Sequence, residues 1–263
     1  MDRSLATAIS WSERTLALAL LLQTIELLQI RAVLSDVGVW RWSILREEQR
    51  ELSAPLRWTF GLLSPYPHFI ALLWLRLAGS IALYFGIAAA LPCLWLSQLA
   101  ICLRFRGTFN GGSDSMTVVM LSGLCLSAFD RGGTIARAGL LYIAVQVTLS
   151  YLIAGVAKLK EADWRSGAAL RSFILDESAG SPRWARAIAE RASAARFAAW
   201  GVIAFECLFP LAWLDGSAAI SFGALGLCFH LGNALVFGLN RFLFAWLAAY
   251  PALIWASDQF ALR

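Results

Sequence analysis

Five ionisable side chains stand inside, or at the rim of, stretches that are otherwise apolar: Glu26, Arg76, Lys158, Glu206 and His230. A charge at the middle of a bilayer costs about 2.5 to 3.5 kcal/mol on insertion scales, so each of these residues needs a partner or a purpose. An amine, a carboxylate and an imidazole in one site make a set suited to proton transfer, with the lysine as base once its ammonium has lost a proton. The same residues read equally as buried ion pairs, Glu26 with Arg76 and Glu206 with Lys158, which fix helix register and do no chemistry. His230 alone reads as a satisfied core histidine.

Whether these residues meet depends on the elements that carry them. Apolar runs broken by turn residues predict eight transmembrane helices, at 15–34, 68–86, 88–105, 114–130, 138–157, 197–214, 218–238 and 241–258. Gly86 and Pro92 alone mark the turn between the second and third, so a single broken helix is the alternative there. Counting about 1.5 Å per residue from the membrane face opposite the N-terminus puts Glu26, Arg76, Glu206 and His230 in one layer roughly 12 Å deep. Lys158 reaches that layer from the rim on its flexible stem. Asn233 follows His230 on the same helical face, and Gln98 and Gln146 lie at similar depth, so together they are expected to line a polar pocket.

Two longer connections complete the arrangement. In "SDVGVWRWSILREEQRELSAPLRW", Trp40, Ile44 and Leu45 recur at helical spacing against Arg41, Glu48 and Arg50, which predicts an amphipathic helix lying in the membrane interface. Residues 159–196 alternate arginines with Trp164, Phe173, Trp184 and Ile188 and are expected to lie along the membrane surface in the same way. The fold class that follows is all-α: a polytopic transmembrane helix bundle with interfacial amphipathic helices, forming a single domain over 1–263.

Composition excludes the main alternatives. Hydrophobic residues make up 59% of the chain and charged residues 15%, and mean hydropathy is +0.66, outside the range of ordinary soluble domains. The first ten residues carry no compact apolar stretch with a cleavage site, so the first apolar segment is expected to stay as a helix. The five cysteines sit in apolar surroundings without a CxxC pair, which predicts buried thiols and no metal site. The excess of positive charge has no basic run interleaved with stacking aromatics, so nucleic acid is not an expected partner and anionic lipid is. Most arginines and lysines fall between spans on the face opposite the N-terminus, which the positive-inside rule assigns to the cytoplasm. The expected location is a membrane, in a bacterium the inner membrane, with the protein crossing it several times.

Four segments resemble, in order, the motifs of the HTTM (horizontally transferred transmembrane) superfamily, which includes vitamin K-dependent gamma-carboxylase. "QVTLSYLIAGVAKLKEADWRSGAAL" carries a tyrosine, an AG, a KL pair, then a tryptophan and a glycine. "FNGGSDSM" is similar to an Asn-Gly-Gly-Asp loop, "WGVIAFECLFPL" to a segment with glutamate ahead of proline, and "FHLGNALVFGLNRFLFAWLAAYPAL" to the family's histidine-bearing final helix pair. The "SDVGVW" connection also fits.

The resemblance implies that Lys158 is the base that deprotonates a reduced, vitamin K-like quinone, with Glu206 and His230 beside it. Glu26, Arg76, Gln98, Asn110, Asp114, Gln146, Tyr151 and Asn233 are then the expected lining of the pocket. Three departures accompany it: Ala157 precedes Lys158 where the carboxylase has two adjacent lysines, "NGGSDS" replaces a histidine-bearing loop, and no counterpart of the carboxylase's large substrate-recognition domain is expected before Arg263. The carboxylase also works on the lumenal side, opposite to the side the charge bias assigns. Two functions follow as expectations. One is a carboxylase-like membrane enzyme using a quinone or prenyl lipid; the other is a non-enzymatic membrane helper for maturation or export of a secreted peptide with a partner protein.

Overall fold

The computed structural model describes residues 3–105, 111–177 and 180–260, and among them every regular element is a helix. Hydrocarbon offers no hydrogen bonds, so a chain this apolar must satisfy its backbone internally, and a helix does so within one segment. Among the described residues, six helical stretches are long and apolar enough to cross a bilayer: Arg3–Gln29, Tyr66–Tyr84, Gly112–Phe129, Thr134–Lys160, Ala192–Trp213 and Gly216–Phe237. Only 17% of the apolar window of Gly216–Phe237 is buried within the protein. Leu225, Leu231 and Leu235 on that helix are exposed, as a lipid-facing surface requires. This is an integral membrane protein.

Two expected spans take another form. The stretch 88–105 is a 3-10 turn, Ala88–Ala90, followed by the 14-residue helix Leu91–Arg104, which is roughly 21 Å long against a hydrocarbon core of about 30 Å. Gly86, at φ +87°, ends the preceding helix and Pro92 stands in the first turn of the next, so the two stretches are separate helices. The expected span 241–258 is divided into Asn240–Leu247 and Tyr250–Phe260. Pro251 has no N–H to return to the carbonyl of Leu247, and the chain turns at Ala248 and Ala249.

The chain forms two compact units, Met1–Leu140 and Leu141–Arg263. The first contains α1 (Arg3–Gln29), α2 (Arg31–Leu34), α3 (Trp42–Leu45), α4 (Ala54–Leu63), α5 (Tyr66–Tyr84), α6 (Leu91–Arg104) and α7 (Gly112–Phe129). Helix α1 packs on α5, and α6 on both α5 and α7, around a cluster that includes Leu27, Leu34, Leu45, Phe69 and Ile101. The amphipathic helix expected after residue 40 is divided between α3 and a 3-10 turn, Arg46–Gln49. Beside this segment Arg104 is buried and donates to the carbonyls of Leu34 at 3.2 Å, Trp40 at 3.1 Å and Ser64. Leu34 and Ser64 close α2 and α4, so the guanidinium occupies the place where helix ends leave carbonyls unpaired. Its carbon also lies 4.4 Å from the Phe69 ring centroid, a cation–π contact that suits a charge taken out of water.

Helix α8 (Thr134–Lys160) carries the chain into the second unit, which continues with α9 (Ala162–Ser166), α10 (Ala168–Leu175), α11 (Arg183–Ala189), α12 (Ala192–Leu208), α13 (Gly216–Phe237), α14 (Asn240–Leu247) and α15 (Tyr250–Phe260). The connection 159–196 is built from α9 to α11, and Phe173, Trp184 and Ile188 are exposed along it. Helix α12 packs on α9 and α10, and α13 on α14 and α15. Asp215 caps α13 by accepting the Ala218 N–H at 2.8 Å. The Ser217 hydroxyl and that N–H hold its carboxyl below the usual aspartate range.

Candidate functional site

The site in the second unit begins with a glycine. A Cβ placed on Gly155 would lie 2.7 Å from the backbone nitrogen of Cys207 and 2.8 Å from Cβ of Glu206, so only glycine lets α8 and α12 approach this closely. One turn on, Lys158 is thereby set against Glu206. Its Nζ donates to both carboxylate oxygens, at 2.9 and 2.7 Å, and the glutamate side chain is only 4% exposed against 19% for the lysine. The Trp164 ring lies over the ammonium, its centroid 5.2 Å from Nζ. Gly167 follows, at φ +84°, where a Cβ would meet the backbone of Arg196 at 2.5 Å. Its lack of a side chain permits both the turn from α9 into α10 and the seating of that turn on the start of α12.

Deeper in the unit, His230 on α13 is buried among aromatic rings, with Phe229 and Trp246 centroids each 5.0 Å away. Its Nε2 lies 2.7 Å from the hydroxyl of Tyr151, which lies 2.7 Å from the hydroxyl of Tyr250. Tyr151 also stacks on Phe209, with ring centroids 4.0 Å apart. Gly226, one turn before His230, leaves the room that the Tyr250 hydroxyl fills.

Lys158, Glu206, Trp164, Tyr151 and His230 line a cavity of about 560 Å3 whose remaining walls are largely apolar and aromatic, with Asp176 among the few further polar residues. Lys158, Glu206, His230, Tyr151 and Asn233 of the expected site all stand on it. Gln146, on α8, is not among its walls. A second groove along α8, lined by Leu152, Ile153 and Val156, shares Ala154, Lys158 and Trp164 with the cavity.

The other expected residues belong to the first unit, where Arg76, Gln98 and Asp114 share one network. Arg76 is fully buried, and its guanidinium donates to Thr24 at 3.1 Å, Ser97 at 2.8 Å, Gln23 at 2.7 Å, Gln98 at 2.5 Å and the Leu94 carbonyl at 3.4 Å. Five N–H groups thus meet five acceptors. Gln23 and Gln98 pass the contact on through their amide nitrogens, 2.5 and 3.3 Å from Asp114, whose other oxygen accepts the Gly111 N–H at 3.1 Å. Glu26 stands half-buried one turn beyond Gln23. Asn110 lies outside the described residues.

Residues 125–257 match the HTTM domain. The chain belongs to the HTTM domain family. No curated protein and no solved structure matches it. The HTTM match takes in Tyr151, Lys158, Glu206, His230 and Tyr250 together. Tyr250 was not among the residues singled out from sequence. The available signal was a hydroxyl-bearing ring beside Pro251 in an otherwise apolar run, which reads more readily as the end of a helix.

Proposed function

We propose that this HTTM protein binds a reduced quinone or related prenyl lipid in the cavity of its second unit, and that Lys158 acts there as a general base in oxidation or carboxylation chemistry. The observation that carries this reading is an amine, paired with a buried carboxylate, on the wall of a large apolar cavity. An ion pair serving only to fix helix register needs no such space beside it. The volume falls within the roughly 300 to 1,000 Å3 typical of small-molecule sites, and aromatic walls suit a planar ring. The groove along α8 suits an apolar tail.

A reduced quinone supplies a phenolic hydroxyl whose deprotonation prepares the ring for reaction with dioxygen. What the chain contributes is proton movement. A proton passing from Nζ to a Glu206 oxygen across the 2.7 Å hydrogen bond converts the ion pair into a neutral amine and a neutral acid, an exchange that becomes less costly as a bound ligand displaces water. The amine then takes the phenolic proton, breaking O–H and forming N–H. The Trp164 ring stabilises the ammonium that results.

The test is mass analysis of small molecules that copurify with the intact protein in mild detergent. About one quinone per chain is expected. A cavity holding only bulk bilayer lipid, together with a stoichiometric protein partner, would overturn the reading in favour of a non-enzymatic helper in peptide maturation or export.

A further inference from the structure

His230 carries a buried ring nitrogen, Nδ1, that has no hydrogen-bond partner among the described residues. Which nitrogen bears the proton decides what that atom offers. Tyr250, Tyr151 and His230 bring three protons to two hydrogen bonds, so one proton is left over. If His230 donates from Nε2 to Tyr151 and Tyr151 donates to Tyr250, the Tyr250 hydroxyl proton and the Nδ1 lone pair are both left buried without partners. In the reverse direction Tyr250 donates to Tyr151, Tyr151 donates to Nε2, and the one group left over is the proton on Nδ1. A single unpaired buried group is the less costly outcome, so the chain of hydroxyls selects it.

We propose that Tyr250 and Tyr151 are positioning residues that hold His230 with its proton on Nδ1, and that a shift of neighbouring side chains on binding opens this N–H to an acceptor oxygen of the molecule in the cavity, a quinone carbonyl or a phenolic oxygen. This rests on the reading of the cavity as a quinone site and gives it a second polar anchor besides the Lys158–Glu206 pair. The cavity borders the imidazole, with Nδ1 itself closed off from it. Gly226 and Pro251 serve the same arrangement, the first by admitting the Tyr250 hydroxyl and the second by helping to separate α14 from α15, so that Tyr250 begins a new helix.

The chain has two histidines, and His68→Gln leaves His230 as the sole imidazole. The full-length protein labelled with 15N-histidine then gives a spectrum in which a protonated, pyrrole-type nitrogen is distinguished from a bare, pyridine-type one. A pyrrole-type Nδ1 and a pyridine-type Nε2 are expected before any ligand is added, and a proton on Nε2 overturns the proposal. Tyr151→Phe, which removes the donor to Nε2, is expected to give a mixture of the two forms, and an unchanged spectrum refutes the positioning role. Adding menaquinone, with its binding followed independently by tryptophan fluorescence, is expected to move the Nδ1 resonance, and binding without that movement also overturns the proposal. If menaquinone does not bind, the quinone reading fails, while the protonation pattern in the same sample still decides the inference.

Discussion

Arginine and lysine carry the same charge, but only lysine can give up its proton in a protein, and this difference separates the two roles open to residue 158. Glu206 is almost wholly enclosed, so Lys158→Ala strands a buried carboxylate and is expected to cost about 3 to 5 kcal/mol, read as a lowered thermal midpoint in detergent. Lys158→Arg keeps a cation beside Glu206 and is expected to remain folded, with a midpoint near that of the unaltered protein. It should nonetheless fail to oxidise a reduced quinone in the presence of dioxygen. A folded arginine variant that turns over normally would leave Lys158 with a structural role alone. The Lys158–Glu206 pair was legible in the sequence because two opposite charges in apolar helices have few alternatives to meeting. The partners of Arg76 were less so. Gln23 and Thr24 lie within three residues of Glu26, and a neutral amide or hydroxyl draws less attention than a carboxylate although it satisfies a guanidinium N–H equally well in geometry.

Helices α8 and α12 owe their separation to the absence of a side chain at residue 155. Gly155→Leu inserts four carbons where a Cβ alone would already stand 2.7 Å from the α12 backbone. The expected result is a loss of about 1 to 3 kcal/mol or more from overpacking, with the amine drawn away from the carboxylate. Thermal unfolding measures the first effect. Native mass analysis measures the second as loss of the copurifying quinone, and retention of both stability and ligand would show that the close approach is not needed. Helix type and position were legible from apolar runs, because length and hydropathy decide whether a segment spans. Divisions within runs were not so plain: the break before Tyr250 depends on one missing N–H at Pro251, and the run of alanines around it gives no hydropathy signal. The segment after residue 40 shows the reverse case, an amphipathic pattern that is realised only as a short helix and a 3-10 turn.

At the scale of the whole molecule, six apolar helices of spanning length predict that the protein resists extraction by alkaline carbonate and leaves the membrane fraction only with detergent. Release into the supernatant by carbonate alone would contradict the assignment of those helices to the bilayer. The contacts of Arg104 bear on how such a chain is made. Its three carbonyl partners precede it by 70, 64 and 40 residues, so all of them leave the ribosome before it does. Until α6 has been synthesised, the ends of α2 and α4 lack their donor and must remain in contact with water or lipid headgroups. The first connection therefore completes its packing only after α6 has been made, well after its own residues have left the ribosome.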